Sequence, residues 1–278
     1  MTNGMDQMRQ PTLTRRVGLR VFSRINPGDV TIAHHWTGDP LRVHSFRHKG
    51  YWYHGFRRER ATMLSLARLL GLGDVVIEAG GHIGYLTLHC ARLVGEAGAV
   101  HVFEPGPNNL PYLHANVDAI DNVVIVEEAL GNTPGSAQLF VEDLTGQNNT
   151  MLADAGEYRR NSRSAGVDAR TYSVGVPVTT MDDYCADNGI TPAFFKIDVE
   201  SFELEVLEGA KATLAGCRPI VLVEIARRED EVLALMTSLG YGLFSDDLRR
   251  LRAVSPGRNY AFLHEGFHAA LIDRVCRG

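Results

Sequence analysis

The stretch "VVIEAGGHIGYLTL", residues Val75–Leu88, decides how the rest of the chain is interpreted. Three apolar residues lead into Glu78, glycines follow as Gly80, Gly81 and Gly84, and the remainder has the pattern of an amphipathic helix. A glycine-rich turn between a strand and a helix lets the backbone approach a ligand at the amides of the helix start. We therefore predict a cofactor at this turn, although glycine in such a turn can also serve packing alone.

Two carboxylates sharpen the prediction. Glu104 ends the next predicted strand, 26 residues after Glu78, which is close to the separation of about twenty that places an acid on a ribose diol. A pyrophosphate beside Glu78 would meet a like charge, whereas the ammonium and sulfonium of S-adenosylmethionine would be attracted. His82 also stands where a dinucleotide fingerprint would have its second glycine. These features favour S-adenosylmethionine over NAD.

Strands and helices alternate from Val75 onward, the pattern of an α/β protein with a doubly wound, mostly parallel sheet. The predicted strands are Val75–Glu78, Val100–Glu104, Val123–Glu127, Phe194–Asp198 and Ile220–Ile225, followed by "YGLFS" and "NYAFLHE" as antiparallel edge strands. The predicted helices are Arg57–Leu70, Ile83–Val94, Asn108–Val117, Met181–Asn188, Phe202–Ala215 and Glu229–Leu239.

The chain divides into two predicted parts. Residues 1–56 form an N-terminal cap with short strands, and residues 57–278 form the cofactor-binding domain. The polar segment 142–175 interrupts the alternation, which predicts either a lid or a disordered loop. The N-terminal region could also pair subunits, so a homodimer is a possible assembly.

Composition limits the partners. The chain has 278 residues, 45% of them hydrophobic, and a formal net charge of −5 without any Lys/Arg run longer than two. Neither nucleic acid nor a membrane surface is favoured by that balance, so we expect a small-molecule acceptor. The four cysteines form no CxxC pair, and the start of the chain lacks an apolar leader. We expect a cytoplasmic location.

Four segments, taken in order, resemble the FkbM family of S-adenosylmethionine-dependent methyltransferases. They are "VIEAGGHIGYLTL", "VFEPGPNNLPYLHANV", "VTTMDDYC" and "FFKIDVESFELEVLEGA", and together they cover about residues 73–224. The most specific part is "KIDVE" followed by "ELEVLEGA", because many methyltransferase families share the glycine turn. The resemblance implies a seven-stranded Rossmann-like methyltransferase sheet and transfer of a methyl group to a hydroxyl oxygen of a natural product or sugar.

The resemblance also implies roles for single residues. The cofactor turn is carried over onto Glu78, Gly80 and Gly84, with Gly81 and His82 inside it, the ribose acid onto Glu104 with the following Pro105, and the acidic pair of the fourth strand onto Asp198 and Glu200. Three positions depart from the family pattern: Glu78 stands for Asp, His82 for Asn, and Ser201 for the Gly that follows "DVE". The last departure concerns the backbone turn after Glu200.

Carboxylates at strand ends are the candidate catalytic groups. A hydroxyl acceptor must lose its proton during attack, which requires a carboxylate, a histidine or a metal ion beside it. Alternation along the strand places Lys196, Asp198 and Glu200 on one side, near the topological switch point, and Glu224 ends the next strand. We predict catalytic roles for Asp198, Glu200 and Glu224, with Asp198 also facing the cofactor. The alternatives are an ion pair of Lys196 with Glu200, a helix cap, and pairing of Glu224 with Arg227.

Two further regions have candidate binding residues. The third strand ends in "VEEALGN", where Glu128 and Ala129 are predicted to contact adenine, although Glu128 could equally be a surface residue. Upstream, "GYWYHGFRRERAT" is predicted to fold over cofactor or acceptor, with His54 either a base or a packed side chain.

Other site classes receive less support. "HEGFH", residues 264–268, formally matches the zinc-protease motif, but the preceding "NYAFL" indicates a strand and Gly266 weakens a helix. The carboxylate pairs Asp182–Asp183 and Asp246–Asp247 could bind Mg²⁺, yet no metal site is predicted. A nicotinamide-dependent oxidoreductase and a non-catalytic S-adenosylmethionine-binding protein remain as alternatives.

Overall fold

A seven-stranded sheet forms the centre of the protein in the computed structural model, which describes residues 27–142, 145–147, 149–151 and 171–276. In chain order the strands are β1 (Asp29–Ala33), β2 (Pro40–His44), β3 (Val75–Ala79), β4 (Ala99–Phe103), β5 (Val123–Val126), β6 (Ala129–Leu130), β7 (Gly135–Glu142), β8 (Thr171–Thr179), β9 (Phe194–Ile197), β10 (Ile220–Ile225), β11 (Tyr241–Ser245) and β12 (Arg258–His264). The helices are α1 (Lys49–His54), α2 (Arg60–Leu69), α3 (Tyr85–Val94), α4 (Leu110–Val117), α5 (Met181–Asn188), α6 (Glu203–Glu208), α7 (Lys211–Gly216), α8 (Glu229–Ser238) and α9 (Ala269–Cys276).

The central sheet has the order β11-β12-β10-β9-β3-β4-β5. β3 pairs in parallel with β4 and β9, and β12 lies antiparallel between β10 and β11. The predicted doubly wound, mostly parallel sheet with antiparallel edge strands is thereby confirmed. Every helix in the described part of the chain is too short or too polar to cross a membrane.

Helices cover both faces of this sheet. Along β3, Ile77 and Ala79 pack into one apolar cluster with α5 to α8, while Val76 packs into a second cluster with α2 and α3. The near-continuous apolar runs of the inner strands follow from this double coverage, since neither face is left to solvent. The carboxyl ends of the inner parallel strands consequently lie side by side at one edge.

One helical prediction needs correction, and one helix was missed. The single helix predicted over Phe202–Ala215 is two helices, α6 and α7, because Asp182 interrupts it: the Asp182 N–H donates to the Gly209 carbonyl at 3.0 Å, and its carboxylate caps the start of α7. A Cβ at Gly209 would stand 2.0 Å from the Gly131 carbonyl oxygen, so only glycine fits at this junction. The C-terminal helix α9 was not predicted.

A second sheet, also not predicted, has three strands in the order β6-β8-β7 within the described residues. β8 overlaps the segment 142–175, so the prediction of a lid or loop is wrong for residues 171–175. Gly175 and Pro177 inside β8 weaken the strand signal in its sequence, since both residues are unfavourable in strand interiors. Residues 152–170 of the predicted loop lie outside the described residues.

The N-terminal hairpin β1–β2 is attached to the cofactor turn through one buried amide. The Asn116 side chain, on α4, accepts from the Arg42 N–H at 2.6 Å and donates to the carbonyls of Arg42 and Ile83 at 3.1 and 2.8 Å. After the hairpin, α1 and a short 3₁₀ turn, Gly55–Arg57, run back toward the carboxyl edge of the central sheet.

Replacing Gly80 by Ala is expected to destabilise the fold through a clash of the new Cβ, which would lie 1.9 Å from the Asp198 carbonyl oxygen. Gly73→Ala is the matched control, because its φ of 86° equals the 85° of Gly80 within a degree while its Cβ would meet no atom of the described residues within 4 Å. The unfolding free energy of Gly80→Ala, measured in urea, should fall about 1–3 kcal/mol further than that of the control. Equal losses for the two variants would contradict this account.

Candidate functional site

A cavity of about 260 Å³ opens where the inner strands of the central sheet end. It is bordered by eleven of the twelve residues predicted for the site, namely Glu78, Gly80, Gly81, His82, Glu104, Pro105, Glu128, Ala129, Asp198, Glu200 and Glu224. Gly84 does not line the cavity. It is the residue just before α3, with a φ of 83°, and a Cβ there would lie 3.0 Å from the Val117 side chain. Packing between α3 and α4 therefore explains this glycine.

Glu78 and Lys196 form the floor of the cavity. The parallel register of β3 and β9 places them opposite each other, with Lys196 Nζ 3.8 Å from Glu78 Oε1 and 3.2 Å from Asp198 Oδ2. Glu78 Oε2 accepts from the Thr87 hydroxyl at 2.7 Å. Burial raises the pKa of Glu78, and Lys196 only partly opposes that shift. Burial would lower the pKa of Lys196, but Asp198 and Glu78 raise it, so this cation stays charged.

Glu104 lies just past β4 and is 4% exposed. One carboxylate oxygen accepts from the His82 N–H at 2.7 Å, and the other accepts from the Gly106 N–H at 2.8 Å and Asn109 Nδ2 at 3.1 Å. Burial nevertheless raises the pKa of Glu104 to about 7. The predicted ribose acid is thus fixed in place by the glycine turn itself.

His82 joins the turn to the N-terminal part of the chain. Its φ of 51° is left-handed, a conformation that histidine and asparagine tolerate better than most residues. The ring Nε2 lies 3.1 Å from the Thr145 carbonyl, which can only accept, so Nε2 carries the proton. The Tyr51 hydroxyl then donates to Nδ1 at 2.9 Å. Burial lowers the pKa of His82 to about 4, so the ring is neutral.

The acidic pair after β9 sits on a strained turn. Glu200 and Ser201 have φ values of 46° and 75°, and each non-glycine residue in that region costs about 1–3 kcal/mol. Ser201 stands where the family pattern has glycine, so this departure places a residue with a side chain in a backbone conformation that favours glycine. The alternative of an ion pair between Lys196 and Glu200 is not what the structure has, because Lys196 contacts Glu78 and Asp198.

Burial is the main cause of two further raised pKa values at this end of the cavity. The pKa of Glu200 rises to about 8, with the charges of Asp198 and Glu224 adding to the shift, and that of Glu224 rises to about 7. Groups that ionise near neutral pH are suited to accept a proton from an acceptor hydroxyl.

The described lining is strongly acidic, with seven carboxyl side chains against two cationic ones, Arg58 and Lys196. Two buried polar atoms of lining residues, Arg58 Nε and Asn109 Oδ1, have no hydrogen-bond partner among the described residues. A cationic ligand with polar groups would relieve both the charge excess and the unmet hydrogen bonds. The residues present therefore fit S-adenosylmethionine.

Several lining residues were not singled out in the sequence, although three of them belong to the stretch "GYWYHGFRRERAT" that was predicted to fold over cofactor or acceptor. Tyr51, Arg58 and Glu59 reach the cavity from α1 and the segment after it, with the Arg58 guanidinium carbon 4.1 Å from the centre of the Tyr51 ring. The remaining missed residues include Asn109, Gly146, Gln147, Asn149, Thr150 and Met151. The aromatic stretch does fold over the site as predicted, but His54 is exposed and lies outside the lining.

The remaining histidine and carboxylate motifs lie away from the cavity. His264 ends β12, and its N–H donates to His268 Nδ1 at 2.9 Å, so the two residues are not ligands on one helix. Asp182 caps the start of α7 through the amides of Ala212 and Thr213. Within the described residues, no group of three His, Cys, Asp or Glu side chains could hold a metal ion.

Comparison with known families matches residues 78–243 to the methyltransferase FkbM domain, which is more than half of the chain. The chain belongs to the FkbM methyltransferase family. The matched FkbM domain begins at Glu78 of the cofactor turn and ends within β11. The resemblance noted in the sequence is thereby confirmed, and with it S-adenosylmethionine as the cofactor instead of NAD.

Curated relatives of this FkbM protein include the tRNA (adenine(58)-N(1))-methyltransferases TrmI of two strains of Thermus thermophilus. Each is 36% identical over 112 residues, which is 38% of this chain and 43% of the relative. The chain thus matches less than half the length of these relatives.

Among solved structures, the methyltransferase FkbM of Methylobacillus flagellatus KT is 13% identical with a TM-score of 0.44, over 76% of this chain and 60% of that one. An S-adenosylmethionine-dependent O-methyltransferase of Thermotoga maritima is 14% identical with a TM-score of 0.42, over 73% and 63%.

The cofactor-free protein is expected to lose stability as the pH rises from about 6.5 to about 8.5. Burial holds the folded pKa of Glu200 near 8, above its unfolded value, so the folded state binds the extra proton and loses that advantage through this window. The buried His34 and His82 have pKa values lowered to about 4, so they change the pH dependence of stability only below this window. Melting temperatures at several pH values should show a shallower decline for Glu200→Gln than for the exposed control Glu96→Gln. Identical slopes would contradict the buried carboxyl as the cause.

Proposed function

We propose that the protein transfers the methyl group of S-adenosylmethionine to a hydroxyl oxygen of a small molecule. The observation that carries this proposal is the cluster of Asp198, Glu200 and Glu224 at the ends of β9 and β10, beside the glycine turn. When bound, the cofactor supplies an activated methyl group on a positively charged sulfur. The chain must then align the acceptor and remove its proton.

Cofactor binding is assigned to the turn and the two strand ends beside it. Glu104, held by the His82 and Gly106 amides, would accept from the ribose hydroxyls, and Glu78 with Asp198 would attract the cationic end. The half-buried Glu128 and the buried Ala129 follow β5 and would border adenine. All of these side chains line one cavity.

Proton removal is assigned to the strand-end carboxylates. Glu200 and Glu224 both have pKa values suited to a base near neutral pH, about 8 and about 7, because burial and neighbouring acids disfavour their charge. Asp198 is shared between Lys196 and the cavity, which suits it to orient the acceptor. Glu224 adds a third carboxyl at the next strand end, where its charge opposes ionisation of Glu200.

An RNA acceptor is the competing candidate, because the curated relatives are tRNA methyltransferases. The formal net charge of −5 and the acidic lining oppose binding to a phosphate backbone, which requires Lys and Arg side chains. A small, uncharged or cationic hydroxyl compound therefore fits better. A cytoplasmic location and a homodimer belong to this proposal as well.

Glu104→Ala should abolish cofactor binding, whereas Asp198→Asn should retain binding and lose turnover. Titration calorimetry with S-adenosylhomocysteine and labelled methyl transfer to a panel of alcohols, sugars, phenols and tRNA would measure the two effects. We expect the binding constant of Glu104→Ala to weaken at least about 100-fold and the rate of Asp198→Asn to fall about 100-fold or more.

Glu127→Ala is the control, since its exposed side chain pairs with His114 on the surface beside the site. It should leave both measurements unchanged. An unimpaired rate in Asp198→Asn would show that the acceptor site is wrongly assigned, and methylation of tRNA without any small acceptor would replace the small-molecule proposal.

A further inference from the structure

The peptide that joins Glu200 to Ser201 is held at both of its polar atoms. The Thr150 hydroxyl donates to the Glu200 carbonyl at 2.7 Å, and the Ser201 N–H donates to Glu203 Oε1 at 2.7 Å. The residues on either side of this peptide have φ values of 46° and 75°. Two side chains thus grip one peptide plane in a conformation that residues other than glycine rarely adopt.

Both gripping side chains are anchored elsewhere in the fold. Glu203 is buried, and its second oxygen accepts from the Ala226 N–H, just after β10, at 3.4 Å. Thr150 belongs to residues 145–147 and 149–151, which we call the roof because five of these six residues line the cavity. The Thr150 backbone exchanges two hydrogen bonds with Phe140 of β7, at 2.8 and 3.1 Å. The strained turn is therefore tied to the roof on one side and to the neighbouring strand on the other.

We propose that Thr150 and Glu203 are positioning residues, which clamp the Glu200–Ser201 peptide and so keep the Glu200 carboxyl directed into the cavity beside Asp198 and Glu224. The use of Glu200 in turnover rests on the proposed function, whereas the clamp itself does not. Glycine at position 201 would adopt this turn without strain. Serine does not share that freedom, so external hydrogen bonds must hold the turn.

Loss of the clamp would let the turn relax toward ordinary φ values and move the carboxyl toward solvent. The charged groups that face Glu200 are Asp198 and Lys196 of its own strand end, Glu224 of β10 and Glu203 of α6. Burial and the three acids hold the pKa of Glu200 near 8, with Lys196 opposing them. A carboxyl that leaves this surrounding would titrate closer to its ordinary value.

The clamp can be tested on the full-length, cofactor-free protein by carboxyl ¹³C NMR titration, with Glu200→Gln assigning the signal. We expect Thr150→Val to lower the pKa of Glu200 by about one unit or more, and Thr150→Ser, which keeps the hydroxyl, to leave it unchanged. Adding Ser201→Gly to Thr150→Val should restore the original value. Thr150→Ala removes the same donor without a second methyl group and gives the same test if the valine variant does not fold.

Turnover provides the second measurement, with whichever hydroxyl acceptor the methyl-transfer panel identifies. Thr150→Val should lower kcat about tenfold or more while KM for S-adenosylmethionine stays within about twofold, and Ser201→Gly should recover the rate. An unchanged Glu200 titration in Thr150→Val, or a loss that Ser201→Gly does not repair, would overturn the clamp. Full activity of Glu200→Gln would instead overturn the proposed role of Glu200, and the NMR titration would still decide the clamp.

Discussion

The register between β3 and β9 is the constraint on which the site depends. It sets Glu78 directly opposite Lys196, two buried charges that are each expensive to bury alone. A shift of one residue along either strand would turn one of them toward the apolar helices and separate it from the other. The same register brings Ala79 and Ile197 to the edge together, so that the turn after each strand begins at the same depth.

From that edge the site is built largely by backbone. Gly80 lets the turn after β3 lie against the Asp198 carbonyl, and the turn's own amide at His82 fixes Glu104 of the next strand. The side chains that would contact a cofactor are thus oriented before any ligand arrives, which avoids an entropic cost on binding. Preorganisation here comes from non-local contacts between strand ends, not from any one loop.

The sequence predicted the central sheet well and the cavity walls poorly, for a common physical reason. Long apolar runs such as "IVLVEI" report burial on both faces, and each inner strand was located to within two residues. The three-stranded sheet has a mixed pattern with Gly175 and Pro177, so its periodicity is weak. Strand-end acids such as Glu224 were identifiable because a carboxylate after four apolar residues is unexpected unless it is used. The individual side chains that reach the site from distant segments could not be identified from the local pattern, even where the aromatic stretch around Tyr51 was predicted to cover the site: Tyr51 meets His82 across 31 positions, and Thr150 meets Glu200 across 50.

The acidic cavity links stability to ligand binding. The folded protein holds protons on Glu104, Glu200 and Glu224 that the unfolded chain releases at lower pH. The unfolding free energy of the cofactor-free protein therefore falls by on the order of a few kcal/mol as the pH rises. A cationic ligand reverses the sign, because it favours the ionised form of the nearest acids and binds more tightly as their protons leave. Part of the binding free energy is therefore stored as electrostatic destabilisation of the ligand-free state. An apolar lining would give a more stable protein with no preference for a sulfonium over a neutral nucleoside.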